Sequence, residues 1–206
     1  MSTLNGPYAN TTLDSGATGL LEATLEATVQ TGVNIGDGVT ANVEVFNQEI
    51  PGPTFKLTVG DTVIVRLINR LPYPLGIHWH GIELENYADG TEVTQNAAVP
   101  SPAQTIGGAP AGGTFLYKFT VTRAGLFWYH PHHGMSINRV MRGLYGLIIV
   151  KDNTGLEAGL VGSVLPAAAD TVELVLSDIT VCKAAPNDTR TYPNVTALLA
   201  ADQPEC

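Results

Sequence analysis

All five histidines of this 206-residue chain fall into two short clusters. One residue separates His78 from His80 and His130 from His132, and His133 follows the second pair directly. In an extended strand, residues two apart project from the same face, so each pair would present two imidazoles together. Four neutral imidazoles from two neighbouring strands can bind copper, zinc, iron or nickel. The spacing therefore predicts a transition-metal site, with His133 facing away from it.

The residue types alone leave the metal open. Cu(II) binds nitrogen ligands more tightly than other divalent ions, but zinc also accepts histidine-rich sites. A single buried histidine is more often a core residue with hydrogen-bonded ring nitrogens than a metal ligand. Two such pairs in a chain with no other histidine make that explanation weaker. Trp79 and Trp128, which flank the ligands, are interpreted as core aromatics that keep the site dry.

The segments that carry the histidines have the character of β-strands. From Leu21 to Gln30, apolar and polar residues alternate, which predicts a half-buried strand. The clearest alternation places Phe115, Tyr117, Phe119 and Val121 inward against polar neighbours. Other strand-like segments lie at residues 41–46, 54–59, 62–68, 76–80, 125–130 and 144–150, separated by turn residues rich in Gly and Pro. This spacing predicts an all-β sandwich or barrel.

Composition limits the partners. The formal charge of −9 comes from 19 acidic and 10 basic residues, so a nucleic-acid partner or an anionic membrane surface is not expected. The longest apolar run, residues 144–150, is far below the roughly 20 residues that a spanning helix needs. The chain also opens on polar residues, so we expect neither a membrane span nor a signal peptide in it.

The chain divides into four parts on composition. We predict an irregular N-terminal arm over residues 1–19, a main domain over 20–152, and a Gly- and Ala-rich linker over 153–170. Strand-like alternation resumes at Val172, Leu174 and Leu176, so residues 171–206 would begin a second, truncated domain. The alternative is that this tail only pads the first domain. Its cysteines, Cys182 and Cys206, would pair with each other or with cysteines outside this sequence.

Several motifs together resemble the first cupredoxin domain of the multicopper oxidases, which include the laccases. They occur in order over roughly residues 40–150: NQEIPGP at 47–53, Gly-Asp at 60–61, Asn-Arg at 69–70, HWHG at 78–81, WYHPH at 128–132 and GLYG at 143–146. The resemblance implies a cupredoxin-like Greek-key fold and an incomplete second cupredoxin domain. Copper nitrite reductases, a related class, would carry a cysteine where this chain has Pro131.

The resemblance also implies roles for the histidines. In that family, first-domain histidines supply half of the ligands of a trinuclear copper cluster. His78 would bind the type 2 copper, His80 and His130 one type 3 copper, and His132 the other type 3 copper. Asp89 matches an aspartate near the type 2 copper and is a possible proton relay. The competing interpretation is that Asp89-Gly90 is simply a turn dipeptide.

The implied activity belongs to a larger protein. By resemblance, the parent would be a laccase-like oxidase that couples one-electron oxidation of phenols, aromatic amines or metal ions to reduction of dioxygen to water. The type 1 copper motif, His-Cys-His, does not occur in this sequence. The chain alone would need a missing C-terminal cupredoxin domain or another subunit. The alternatives are a non-enzymatic copper-binding module and an inactive fragment. Relatives act outside the cell or in the periplasm, which implies the same location here.

Overall fold

Two β-sheets form the framework of the domain. The computed structural model describes residues 11–36, 39–91, 108–132, 136–153, 155 and 171–177. Strands in these residues are β1 (Thr12–Asp14), β2 (Leu20–Gly36), β3 (Val39–Phe46), β4 (Gly52–Thr58), β5 (Thr62–Asn69), β6 (Leu75–His80), β7 (Gly108–Ala109), β8 (Thr114–Thr120), β9 (Gly125–Pro131) and β10 (Gly146–Lys151). A 3-10 turn spans Asn86–Ala88 and a short helix, α1, spans Ser136–Val140.

The sheets pack face to face around one main core. The larger sheet has the order β1-β4-β10-β9-β6-β7, and the smaller has β3-β2-β5-β8. Both sheets contribute buried apolar side chains to the same cluster, among them Leu25, Leu67 and Tyr117 from the smaller sheet and Phe55 and Trp79 from the larger. The predicted all-β sandwich is therefore confirmed.

Alternation in the sequence gives the correct inward faces of β2 and β8. Leu21, Leu25 and Ala27 of β2 are buried, and so are Tyr117 and Phe119 of β8, which lies in the same sheet beyond β5. The pattern in β2 fails at its far end, where Val29 is exposed. There β2 extends past the main core and pairs only with β3.

The N-terminal segment differs from its prediction. Within the range expected to be an irregular arm, β1 pairs in parallel with β4, with Thr12 opposite Thr54. Ser15, just after β1, donates its hydroxyl proton to the buried carboxylate of Asp61. Three residues are too few to show alternation, so this strand could be found only through its pairing partner.

The strand expected at the start of residues 171–206 is not formed. Residues 171–177 are irregular, and Val172, Leu174 and Leu176 are more than two-thirds exposed. The segment is held by an ion pair between Lys56 and Glu173, with Nζ to Oε1 at 2.6 Å. Alternation predicts which residues share a face, but a strand also needs a neighbour with which to pair. The proposed second domain over residues 171–206 stays a prediction.

One finding concerns membranes. Among the helices of the described residues, none combines the length and apolar character that crossing a bilayer requires.

Candidate metal centre

β6 and β9 bring the two histidine pairs together. They are antiparallel neighbours in the larger sheet, and His78 lies directly opposite His130. Ring centroids are 5.4 Å apart for His78 and His130, 5.3 Å for His78 and His80, and 5.0 Å for His78 and His132. The four rings that the sequence singled out therefore converge on one face of the sheet. Trp79 points to the opposite face, as the strand period predicts.

Three of these rings bring potential ligand atoms close together. Ligand nitrogens of His78, His80 and His130 all lie within 4.8 Å of one another. The shortest distance, 3.1 Å, joins Nδ1 of His80 to Nε2 of His130. Two imidazole nitrogens that share one metal ion, each about 2.0–2.1 Å from it, lie roughly 3 Å apart. The arrangement therefore has the spacing of a metal-binding pair.

Hydrogen bonds on the far side of two rings select which nitrogen faces the centre. Nδ1 of His78 donates to the backbone carbonyl of Asp89 at 3.0 Å and to its carboxylate at 3.1 Å. Nδ1 of His130 donates to the carbonyl of Pro131 at 2.8 Å. Because these acceptors require a proton on Nδ1, Nε2 of each neutral ring keeps its lone pair.

The electrostatic environment favours neutral rings. Burial of the ring and the neighbouring imidazoles of His78, His80 and His132 lower the pKa of His130 to about 4, although its hydrogen bond to Pro131 acts in the opposite direction. Loss of solvent, followed by the charges on His78 and His132, also lowers the pKa of His80. Neutral imidazole is the form that binds copper or zinc, so the donor set fits a transition metal.

Both interpretations of Asp89 find support in the geometry. Its carboxylate lies against His78, and its second oxygen accepts a hydrogen bond from Thr91 at 3.1 Å. Gly90 has φ of +70°, as expected for a turn glycine. Asp89 is thus a turn residue that also contacts a predicted ligand. Its role in proton transfer remains a prediction.

The two tryptophans have different environments. Trp79 is fully buried, with its ring centroid 5.4 Å from that of Tyr117 and 4.9 Å from that of Phe119. Trp128 is 37% exposed, so its interpretation as a core aromatic is wrong. Its side chain points to the outer face of the sheet, like His130 two residues later, and their ring centroids are 4.0 Å apart.

Two contacts that hold β6 in place were not predicted from the sequence. The buried hydroxyl of Tyr117 accepts a hydrogen bond from the backbone N–H of Ile77 at 2.8 Å. Gly90 lies so close to β6 that a Cβ there would be 1.9 Å from the carbonyl oxygen of Ile77. The Asp-Gly dipeptide was a signal for the turn, but nothing local shows that the turn packs against the ligand strand.

Some predictions fall on residues outside the described part of the chain. These are the orientation of His133 and the pairing of Cys182 and Cys206.

Comparison with known proteins identifies the family. The family profile described as multicopper oxidase matches residues 28–155, more than half of the chain. The chain belongs to the multicopper oxidase family. Membership implies copper as the metal for which this group of histidines is suited.

Curated relatives are much longer than this chain. A multicopper oxidase of Mycobacterium tuberculosis, MmcO, is 38% identical over 122 residues, which cover 59% of this chain and 21% of that protein. An L-ascorbate oxidase of Nicotiana tabacum is 40% identical over 122 residues, covering 58% and 19% respectively. The matched region therefore spans about a fifth of these relatives.

Solved structures of the multicopper oxidase family share the fold. A multicopper oxidase from Campylobacter jejuni, described as a metallo-oxidase, superposes with a TM-score of 0.56 at 25% identity. The match covers 72% of this chain and 31% of that one. The cupredoxin-like fold predicted for the main domain is thereby confirmed.

Proposed function

We propose that this chain supplies half of the ligands of a trinuclear copper cluster in a laccase-like multicopper oxidase. His78 would bind the type 2 copper, His80 and His130 one type 3 copper, and His132 the other type 3 copper. The observation that carries the proposal is the 3.1 Å separation of Nδ1 of His80 and Nε2 of His130. Two lone pairs at this distance repel one another unless a proton or a metal ion lies between them.

The protein's contribution is to hold these nitrogens in position. Trp79, on the other side of β6, is fixed in an aromatic core, and the Tyr117 hydroxyl holds the backbone at Ile77. Asp89 orients the ring of His78 through Nδ1. The same carboxylate lies beside the proposed type 2 copper ligand, and we assign it the role of proton relay.

The proposed partners follow from this chemistry. When bound, the copper cluster would supply the redox chemistry that reduces dioxygen to water with electrons from a small reducing substrate. Phenols, aromatic amines and metal ions are the proposed substrate classes. We propose an extracellular or periplasmic location, as implied by the resemblance to the laccases.

The chain alone is proposed to be inactive as an oxidase. Four cluster histidines are half of the set that the family uses, and no His-Cys-His motif for a type 1 copper occurs in the sequence. A C-terminal cupredoxin domain or another subunit would complete the site. The second candidate function is a copper-binding module without oxidase activity, which needs only the four converging imidazoles.

Copper content and oxygen consumption, measured on the same purified chain, test the proposal. We expect bound copper whose affinity falls sharply in both His80→Gln and His130→Gln, with no sustained oxygen consumption on a phenol. His133→Gln is the matched control and should bind copper like the wild type. Unchanged copper binding in the double variant of His80 and His130 would contradict the ligand assignment. Sustained turnover by the chain alone would contradict its incompleteness.

A further inference from the structure

The hydrogen bonds around the metal centre do not explain the orientation of the His80 ring. Nδ1 of His78 is held by Asp89. Nδ1 of His130 is held by the carbonyl of Pro131. The side chain of His80 is exposed, and among the described residues its ring hydrogen-bonds only to the ring of His130. In this part of the chain, therefore, no acceptor outside the cluster decides which nitrogen of His80 faces the centre.

Trp128 is the fourth member of a block of side chains on the outer face of the larger sheet. Across β6 and β9, His78 lies opposite His130, and His80 lies opposite Trp128. The indole centroid is 5.2 Å from that of His80, with 34° between the planes, and 4.0 Å from that of His130, with 31°. The His78 ring, by contrast, is edge-on to His80 and His130, at 70° and 74°. Trp128 is thus a shared wall for the two rings whose nitrogens are 3.1 Å apart.

We propose that Trp128 is a positioning residue that makes His80 present Nδ1, rather than Nε2, to the metal. The indole holds the His80 ring where Nδ1 reaches Nε2 of His130. Without this contact the exposed ring could swing into solvent, or turn so that Nε2, two bonds beyond Nδ1, approaches the centre instead. The inference rests on the metal-binding part of the proposed function and requires no oxidase activity.

The same contact has a consequence for the metal-free chain. In the neutral ring of His130, Nε2 carries no proton because Nδ1 donates to the carbonyl of Pro131. A hydrogen bond between the two rings therefore requires the proton on Nδ1 of His80. We expect neutral His80 to be the Nδ1-protonated tautomer while Trp128 holds it, and to exchange between both tautomers once it is released.

Long-range ¹H–¹⁵N spectra of the full chain, labelled in its histidine rings, test this with Trp128→Leu at neutral pH. Leucine keeps the position apolar but removes the flat face. Without metal, wild-type His80 should show a protonated Nδ1, and the variant a mixture of tautomers. With Cu(I), the large shift on Nδ1 of His80 should divide between Nδ1 and Nε2 in the variant. Copper affinity, measured by competition with a chelator, should fall about tenfold.

Two further variants separate positioning from general packing. Trp128→Phe restores an aromatic face and should return the wild-type His80 signals. Leu126→Ala is the matched control, because Leu126 is 75% exposed and lies two residues from Trp128 on the same face of β9. It should leave the His80 signals unchanged. Equal changes in Leu126→Ala and Trp128→Leu would overturn the specific role of the indole.

The outcomes for Trp128 and for the metal site are distinguishable. Unchanged His80 signals in Trp128→Leu, or a mixture of tautomers in the metal-free wild type, would overturn the positioning role. A wild type that binds no Cu(I) would contradict the proposed function, and the metal-free comparison would still show whether Trp128 orients His80. If Trp128→Leu does not fold, Trp128→Met, also without a flat face, takes its place.

Discussion

At the scale of single residues, contacts outside the cluster determine which ring nitrogen is offered to a metal. Asp89 and the carbonyl of Pro131 each accept a hydrogen bond from a protonated Nδ1, so His78 and His130 present Nε2. His80 differs because its Nδ1 points towards His130. The centre therefore combines two kinds of imidazole donor, and this follows from backbone and carboxylate contacts that lie beyond the ligands themselves.

Removing the Asp89 carboxylate should weaken metal binding without abolishing it. Loss of such an outer contact costs about 10–100-fold in metal affinity, and the lower end is expected because the Asp89 carbonyl still accepts from His78. We predict a roughly tenfold lower copper affinity for Asp89→Ala, measured by competition with a chelator. Glu85→Ala, an exposed change in the same loop, should leave the affinity unchanged. Equal affinities for all three proteins would contradict this role.

The sequence singled out the histidines of the cluster but not their environment. A period of two was enough to place His78 and His80 on one face, since it depends only on strand geometry. The choice between Nδ1 and Nε2 could not be predicted, because it depends on Asp89 and Pro131 in three dimensions. The exposure of Trp128 was also missed, because residue type indicates an aromatic core more strongly than strand position does.

At the scale of elements, β6 is held from both sides. β9 pairs with one edge, and the turn after the 3-10 segment packs against its backbone. Gly90 makes this contact possible because it has no side chain and adopts φ of +70°. The position of His78, next to Ile77 in β6, depends on this close approach.

Gly90→Ala should therefore destabilise the fold severely. An added Cβ would lie 1.9 Å from the Ile77 carbonyl oxygen and would also strain the backbone, so we predict a loss of at least about 3 kcal/mol. Gly112→Ala is a matched control, with φ of +69° and nothing within 4 Å of its Cβ. That change should cost only about 1–2 kcal/mol. Urea unfolding measures the free energy of unfolding of both variants. Equal losses of this free energy would show that packing of Gly90 on β6 is unimportant.

Glu44 connects β3 to the segment that follows α1. Glu44 is only 2% exposed, and its Oε1 lies 2.5 Å from Nη1 of Arg142. The backbone N–H of Glu44 also donates a hydrogen bond to the backbone carbonyl of Arg142. Glu44 lies between the buried Val43 and Val45, so both faces of β3 are covered here. This double burial is a tertiary feature that the local sequence pattern does not contain.

Breaking this pair should cost far more than breaking an exposed one. Glu44→Ala leaves Arg142 buried without its carboxylate, so we predict a loss of about 3–5 kcal/mol in the free energy of unfolding. Glu26→Ala removes an exposed pair with Arg70 and should cost no more than about 1 kcal/mol. Denaturant unfolding of the two variants checks the contrast. Similar losses would mean that the buried pair contributes no more than a surface one.

At the scale of the whole molecule, the sandwich was predictable but the neighbours in its sheets were not. Strand-like segments separated by turn residues indicated two packed sheets. Alternation of apolar and polar residues predicted which face of most strands points inward. Pairing of β9 with β6 joins segments about fifty residues apart, which no local pattern specifies. The family motifs supplied that information, since they imply that both histidine pairs serve one cluster.

The buried core also predicts loss of stability at high pH. Burial raises the pKa of the Tyr117 phenol well above 10, although its hydrogen bond from Ile77 acts in the opposite direction. In the unfolded chain this phenol ionises near pH 10, so its stabilising contribution is present below that pH and is lost as pH rises through the folded value. We predict that the free energy of unfolding falls above about pH 10 by up to about 1.4 kcal/mol per pH unit from this group. Tyr117→Phe should reduce the fall, and identical pH profiles for the two proteins would contradict this.

The central claim is that the imidazoles of β6 and β9 share a metal through specific nitrogens. Long-range ¹H–¹⁵N spectra of the chain, labelled in its histidine rings and loaded with diamagnetic Cu(I), report which nitrogen binds. We predict that the large ¹⁵N shifts fall on Nε2 of His78, Nε2 of His130 and Nδ1 of His80. Ring signals that Cu(I) leaves unchanged, or binding of His80 through Nε2, would contradict the account.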